Sequence, residues 1–194
     1  MLALLLLASP AHAIAFGGSL LLGPAVTLPA SVTTTTTGPL GAEREETVQF
    51  HPGVGPLAEL QVELGDRFIS ALAVQYSNTP ISADSDGTHV TGREGVILAG
   101  YRFTFDLFGR SGKHAVSPYV GVGTLFGVSA LSVSASNDVD SAVSEGTALT
   151  LELDATLGAH WRLNEHLGLR GEVAVSTYGG LGAIEPRVGA YAMF

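Results

Sequence analysis

The chain has 194 residues, 25 of them Gly and none Cys, and a formal net charge of −9. With 46% hydrophobic and 14% charged residues it is too apolar for a disordered chain, and its acidity argues against a nucleic-acid binder. No Cys means no disulfide framework and no thiolate metal site, and no long apolar run follows the N-terminus, so a helical membrane bundle is also disfavoured.

Residues Met1–Ala8 are almost wholly apolar, and Ser9, Pro10 and Ala11-His12-Ala13 follow. Small residues three and one before a cut are what a signal peptidase reads, so residues 1–13 are expected to be a signal peptide and 14–194 a single domain. The alternative is a retained anchoring helix, which Gly17, Gly18, Gly23 and Pro24 would interrupt.

Eight strands are then expected in chain order. The first is Phe16–Leu28, with its alternation blurred by Leu20-Leu21-Leu22. A long polar connection follows from Ser31 to about Phe50, holding Thr33–Thr37 and Glu43-Arg44-Glu45-Glu46. The second strand, Val54–Leu64, sets Val54, Pro56, Ala58, Leu60, Val62 and Leu64 against Glu59, Gln61 and Glu63. The third, Phe68–Ser77, sets Phe68, Leu72, Val74 and Tyr76 against small residues and Gln75. The fourth, Val96–Leu107, sets Ile97, Ala99, Tyr101, Phe103 and Phe105 against Arg102, Thr104 and Asp106. The fifth, Pro118–Ser134, sets Val120, Val122, Phe126 and Val128 against Tyr119, Gly121, Gly123 and Gly127. The sixth, Thr147–Leu163, is the clearest: Leu149, Leu151, Leu153, Leu157 and Trp161 alternate with Thr150, Glu152, Asp154, His160 and Arg162. The seventh, Leu167–Tyr178, sets Leu167, Leu169, Val173 and Val175 against Arg170 and Glu172. The last sets Val188, Ala190, Ala192 and Phe194 against Arg187, Gly189 and Tyr191.

A period of two sustained this long exceeds a soluble strand, which averages about 5–6 residues. Connections Ser31–Phe50, Asn78–Glu94 and Ala135–Gly146 are long, whereas Gly65-Asp66 and Asn164-Glu165-His166 are tight. Long external loops alternating with short periplasmic turns, and strands apolar on one face only, predict an all-β, eight-stranded antiparallel up-and-down transmembrane β-barrel. Phe68, Phe105, Trp161 and Phe194 fall on the lipid-facing set at the short-turn ends, where an interfacial aromatic girdle belongs.

Three stretches carry a family resemblance: Ala99-Gly100-Tyr101-Arg102-Phe103, Pro118-Tyr119-Val120-Gly121-Val122-Gly123, and Leu157 through Glu172. In their order and spacing they resemble the eight-stranded outer-membrane β-barrel superfamily, which includes the barrels of outer-membrane proteins A, X and W and the opacity proteins. The terminal Gly189-x-x-Ala192-x-Phe194 is similar to the signal read by the barrel-assembly machinery. The resemblance implies the outer membrane of a two-membrane (Gram-negative) bacterium, contact with membrane lipid and lipopolysaccharide, assembly by that machinery, and a monomer. No peptidoglycan-binding domain is expected after Phe194.

An eight-stranded barrel is just wide enough to be filled by side chains. By parity the lumen holds Glu59, Glu63, Asp106, Glu152, Asp154 and Glu172 with Arg102, Arg162, Arg170, Arg187 and His160. Opposite charges in a closed space are expected to pair into a polar plug. The expected role is therefore structural, or surface interaction through the loops, with no catalysis, no cofactor and no metal. The alternatives are a narrow channel, a carrier of small apolar molecules, a lipid-modifying enzyme, or a soluble ligand-binding barrel. An enzyme would need His, Ser and an acid together near the external rim; His51 and His89 lie there, but no adjacent Ser and carboxylate share a strand face with them. Gly121-x-Gly123-x-x-x-Gly127 lies inside a strand and reads as small residues making room for long neighbours, not as a nucleotide loop. Asp84-Ser85-Asp86-Gly87 fails as a calcium loop because Ser82 and Arg93 stand at the first and twelfth ligand positions.

Overall fold

The computed structural model describes residues 14–28, 31–37, 43–85, 88–109, 115–136, 141–178 and 181–194. The expected signal peptide lies outside these. The described residues form ten strands: β1 Phe16–Leu28, β2 Ser31–Thr37, β3 Glu43–Phe50, β4 Gly53–Glu63, β5 Phe68–Ser85, β6 Thr88–Asp106, β7 Val116–Ser136, β8 Ser141–Arg162, β9 Leu167–Tyr178 and β10 Leu181–Met193.

Eight of them close into an antiparallel barrel in the order β4-β1-β10-β9-β8-β7-β6-β5, with β5 paired back onto β4. One row of paired residues runs from Thr27 through Ala183, Ser176, Asp154, Gly123, Arg102, Ala71 and Gln61 to Gly17. One circuit thus returns to β1 ten residues below its start, a stagger that closing tilted strands requires.

The alternation in sequence becomes an inside-out distribution. Leu60, Leu72, Ile97, Phe126, Leu157 and Val188 are exposed on the outer wall, while Glu59, Arg102, Glu172 and Arg187 are buried. Water would penalise that outer wall heavily; hydrocarbon does not. The tight turns lie at one end. Gly65 and Gly109 have φ of 84° and 77° there, a region side chains resist. In the β8–β9 turn the Asn164 side-chain carbonyl accepts the His166 and Leu167 amides at 2.9 and 2.8 Å.

Strands at the opposite end run further than the alternation predicts. The expected Asn78–Glu94 connection is mostly β5 and β6, and the expected Ala135–Gly146 connection is mostly β7 and β8. β10 begins already at Leu181, ahead of the alternation at Val188, and the polar Ser31–Phe50 segment holds β2 and β3, which pair with each other, β3 joining β5 through Val48, Gln49 and Phe50. Beyond the membrane both faces of a strand meet water, so main-chain pairing continues after the period-two signal has vanished.

The β1–β10 seam has one gap. Its pairs stop at Leu22↔Val188 and resume at Val26↔Ile184, and the interval holds Pro24 and Pro186, neither of which carries an N–H to donate. Gly23 lets the strands approach there, because a Cβ at that position would collide with the Pro186 carbonyl.

Candidate functional site

The lumen gathers most of the charge that parity assigned to it. Arg102, on β6, reaches Glu59 on β4 at 2.5 Å, Asp154 on β8 at 2.9 Å and Glu172 on β9 at 3.2 Å. Its remaining Nη2 donor reaches Thr156 Oγ1 at 2.6 Å. Arg170 pairs with Glu59 and, at 2.6 Å, with Glu172, while its Nε donates to the Tyr119 hydroxyl at 2.6 Å. That hydroxyl donates in turn to Glu172 Oε2 at 2.6 Å. Ser19 and Gln61 complete the shell of Glu59 at 2.7 and 2.8 Å. Arg187 joins Glu172 at 3.2 Å, Glu185 at 2.5 Å and the Gln75 side-chain oxygen at 2.9 Å. Three guanidiniums and the carboxylates Glu59, Asp154, Glu172 and Glu185 thus form one connected set across five strands. Buried ions tolerate loss of water only when partners and hydrogen bonds replace it, and this set does so almost completely.

Glycines make the set possible. The Asp154 carboxylate and the Arg102 stem occupy the space where a Gly123 side chain would stand. Tyr119 lies over Gly158, its register partner on β8, and Tyr191 lies over Gly168, its partner on β9. Beside the charges, Leu21, Leu57, Ala73, Val96, Leu98 and Leu125 form a buried apolar cluster on the β1, β4–β7 wall.

The other residues assigned to the lumen stand elsewhere. Asp106 and His160 meet at 3.5 Å near the tight turns, with Tyr119 stacked on the imidazole at 4.4 Å between centroids. Asp106 also caps its turn, accepting the Phe108 and Gly109 amides at 3.2 and 3.0 Å and the Ser117 hydroxyl. Glu63 and Arg162 are half-buried at the mouth, around a cavity of about 420 Å³ that His166, Tyr191 and Phe194 also line. Glu152 is buried above the network, and its Oε1 has no hydrogen-bond partner among the described residues. Gln75, on the face of the third expected strand that parity turns inward, joins the network, and Glu185 is a member absent from the parity set. Glu185 sits two residues from Arg187 on the same face, a signal hidden when its strand is started too late.

Phe68, Trp161 and Phe194 are exposed on the outer wall beside the tight turns, and Phe105 packs on Phe68 at 5.0 Å. Gly189 abuts the Leu20 carbonyl, and Phe194 pairs with Phe16 through two main-chain hydrogen bonds of 2.7 and 3.2 Å. Ala192 lies between them opposite Gly18. At the far rim, His51 Nε2 and Ser82 Oγ are hydrogen-bonded at 2.7 Å. His51 lies in the link between β3 and β4 and Ser82 on β5, so no single strand face reveals them; no carboxylate among the described residues bonds His51.

A closed antiparallel barrel, apolar outside and charged within, defines an integral membrane β-barrel of the outer-membrane type. No protein-family model and no curated protein matches the chain. Among solved structures it is similar to a major outer membrane protein from Thermus thermophilus, with TM-score 0.61 and 13% identity over 94% of this chain and 100% of that one. Looser likenesses are to the N-terminal β-barrel domain of Pseudomonas aeruginosa OprF, with TM-score 0.47 and 11% identity over 92% and 97% of the two chains, and to Yersinia pestis Ail, with TM-score 0.44 and 13% identity over 92% and 99%. At these identities the likeness concerns the fold.

Proposed function

We propose that this chain is an integral protein of the outer membrane of a two-membrane bacterium, acting as a structural or surface-contact element around a side-chain plug. The observation that carries the reading is the connected network of Arg102, Arg170 and Arg187 with Glu59, Asp154, Glu172 and Glu185, lying against the Leu21–Leu57–Leu98–Leu125 cluster. A conducting path would have to part several buried ion pairs at once, each costing a few kcal/mol to strand. The outer wall contacts membrane lipid and lipopolysaccharide, Phe68, Phe105, Trp161 and Phe194 anchor the periplasmic interface, and Gly189, Ala192 and Phe194 serve assembly. The protein works as a monomer, without cofactor or catalysis.

The test is conductance of the purified protein in planar bilayers, on material whose unboiled and boiled gel mobilities differ as a folded barrel's do. Silent membranes are expected. Stable unitary currents that change when Arg102 is replaced would favour the narrow-channel alternative.

A further inference from the structure

The buried charges at the external end of the plug do not balance. Glu59, Asp154, Glu172 and Glu185 of the network, with Glu152 above them, are five buried carboxylates against the three guanidiniums of Arg102, Arg170 and Arg187. The excess gathers on three adjacent strands. Glu152 and Asp154 lie two residues apart on the inward face of β8. Ser176 of β9 is the register partner of Asp154, and its hydroxyl donates to Glu185 Oε1 of β10 at 3.3 Å. Glu152 itself stands opposite Tyr178, where β9 reaches its last residue.

Two oxygens of this group are unanswered. Glu152 is 3% exposed, and its Oε1 has no hydrogen-bond partner among the described residues. The same is true of Oδ1 of Asp154, which is 5% exposed. The charged neighbours of Glu152 are Glu185 and Asp154, which repel it, and Arg187 and Arg102, which are engaged by other carboxylates. A buried carboxylate without a partner is strongly unfavourable, and a cation that donates to it restores the balance.

We propose that the external end of the plug binds a primary alkylammonium group, which enters from outside and donates to Glu152 and Asp154. Such a group belongs to a free diamine or to a lysine side chain, and the test separates the two sources. An ammonium is a compact charge with three donors, which suits free carboxylate oxygens on neighbouring side chains. A divalent metal ion suits the place less. It takes about six or more oxygen ligands, and no three carboxylate or histidine side chains among the described residues converge to hold one. The alkyl part has a wall of its own: Leu125 of β7 is the register partner of Glu152, and Leu98 and Val96 of β6 continue the apolar cluster beside it. The site stands whether or not the lumen conducts.

The test is isothermal titration of the whole protein, refolded in detergent, with diaminobutane, with a blocked Gly-Lys-Gly peptide and with tetramethylammonium at equal ionic strength. Saturable binding of at least one amine is expected, and the tighter of the two identifies the source. Tetramethylammonium carries the charge without an N–H and should bind at least about tenfold more weakly than that amine. Glu152→Gln, which keeps the size of the side chain, should weaken the amine by at least about tenfold as well. A compact unboiled band establishes that the variant is folded, and the tetramethylammonium comparison needs no variant. No saturable binding of either amine, equal binding of tetramethylammonium, or binding indifferent to Glu152→Gln would overturn the assignment and leave Glu152 to hold a proton of its own.

Discussion

The carboxylate of Asp154 sits in the space that a side chain on Gly123 would occupy, with Arg102 closing the same space from β6. A residue with no side chain is thus what permits one of the longest side chains in the lumen to reach its partner. Gly123→Val should push Asp154 and Arg102 apart and overfill the lumen. Overpacking costs about 1–3 kcal/mol, and a disturbed buried pair adds to that. The expected outcome is a urea midpoint lowered for the refolded barrel, with the loss of about 3 kcal/mol read from the transition. A midpoint unchanged from the parent would remove Gly123 from the packing of the network.

Arg102 is the hub, touching Glu59, Asp154 and Glu172. Arg102→Met keeps most of the stem and strips the charge, which takes from Asp154 its ion pair and leaves Glu59 and Glu172 to Arg170 and Arg187. Breaking one side of a buried pair typically costs about 3–5 kcal/mol, whereas replacing both sides with neutral groups is often nearly free. Equilibrium unfolding in vesicles should therefore show Arg102→Met strongly destabilised. The triple variant that adds Glu59→Gln and Asp154→Asn should recover much of the loss. A triple variant no better than the single one would mean that packing of the stem, not charge, is what Arg102 supplies.

How much of this was legible beforehand follows from where each side chain's two possible environments differ. Along Leu149–Arg162 one face meets hydrocarbon and the other a polar lumen, so the strand and its inward charges can be read residue by residue. The same chain at Val143–Gly146 is exposed on both faces, and alternation does not reveal its strand. Glu185 escaped because Gly179-Gly180 followed by small residues looks like a loop, although the pairing of Glu185 with Ala174 carries the strand past it. The pairing of Tyr119 with Gly158, and the meeting of His51 with Ser82, depend on register between strands, which no single strand's pattern contains.

Two glycines on opposite faces of the wall, Gly171 outward and Gly189 inward, should respond oppositely to the same substitution. A Cβ added at Gly171 meets nothing within 4 Å, and this gap in the row Leu167, Leu169, Val173, Val175 floors a surface cavity of about 500 Å³ with Ala159. A Cβ at Gly189 would strike the Leu20 carbonyl. Gly171→Leu is expected to refold as well as the parent and to keep or raise its thermal midpoint in lipid. Gly189→Leu should fail to give the compact unboiled band even when refolded without any assembly machinery. That last condition matters, because failure only in cells would point to the assembly signal instead of to strand approach.

Trp161 is the one tryptophan of the chain, which makes its depth measurable without engineering. It lies on the outer wall opposite Val116, one residue from the end of β8, at the level of the tight turns. An indole there can rest its ring on acyl chains while its N–H reaches the headgroup region, the arrangement that concentrates Trp at interfaces. The protein refolded into vesicles with brominated lipids should show the strongest quenching from bromines near the headgroup and the weakest from those near the chain ends. The Glu145→Lys variant, altered at the opposite end of the same strand, should give the same depth profile. Quenching greatest at the bilayer centre would place the tight-turn end inside the hydrocarbon and shift the whole apolar belt along the barrel axis. Negligible quenching at every depth would put Trp161 in water and separate the Phe68–Phe105 pair from any interfacial girdle.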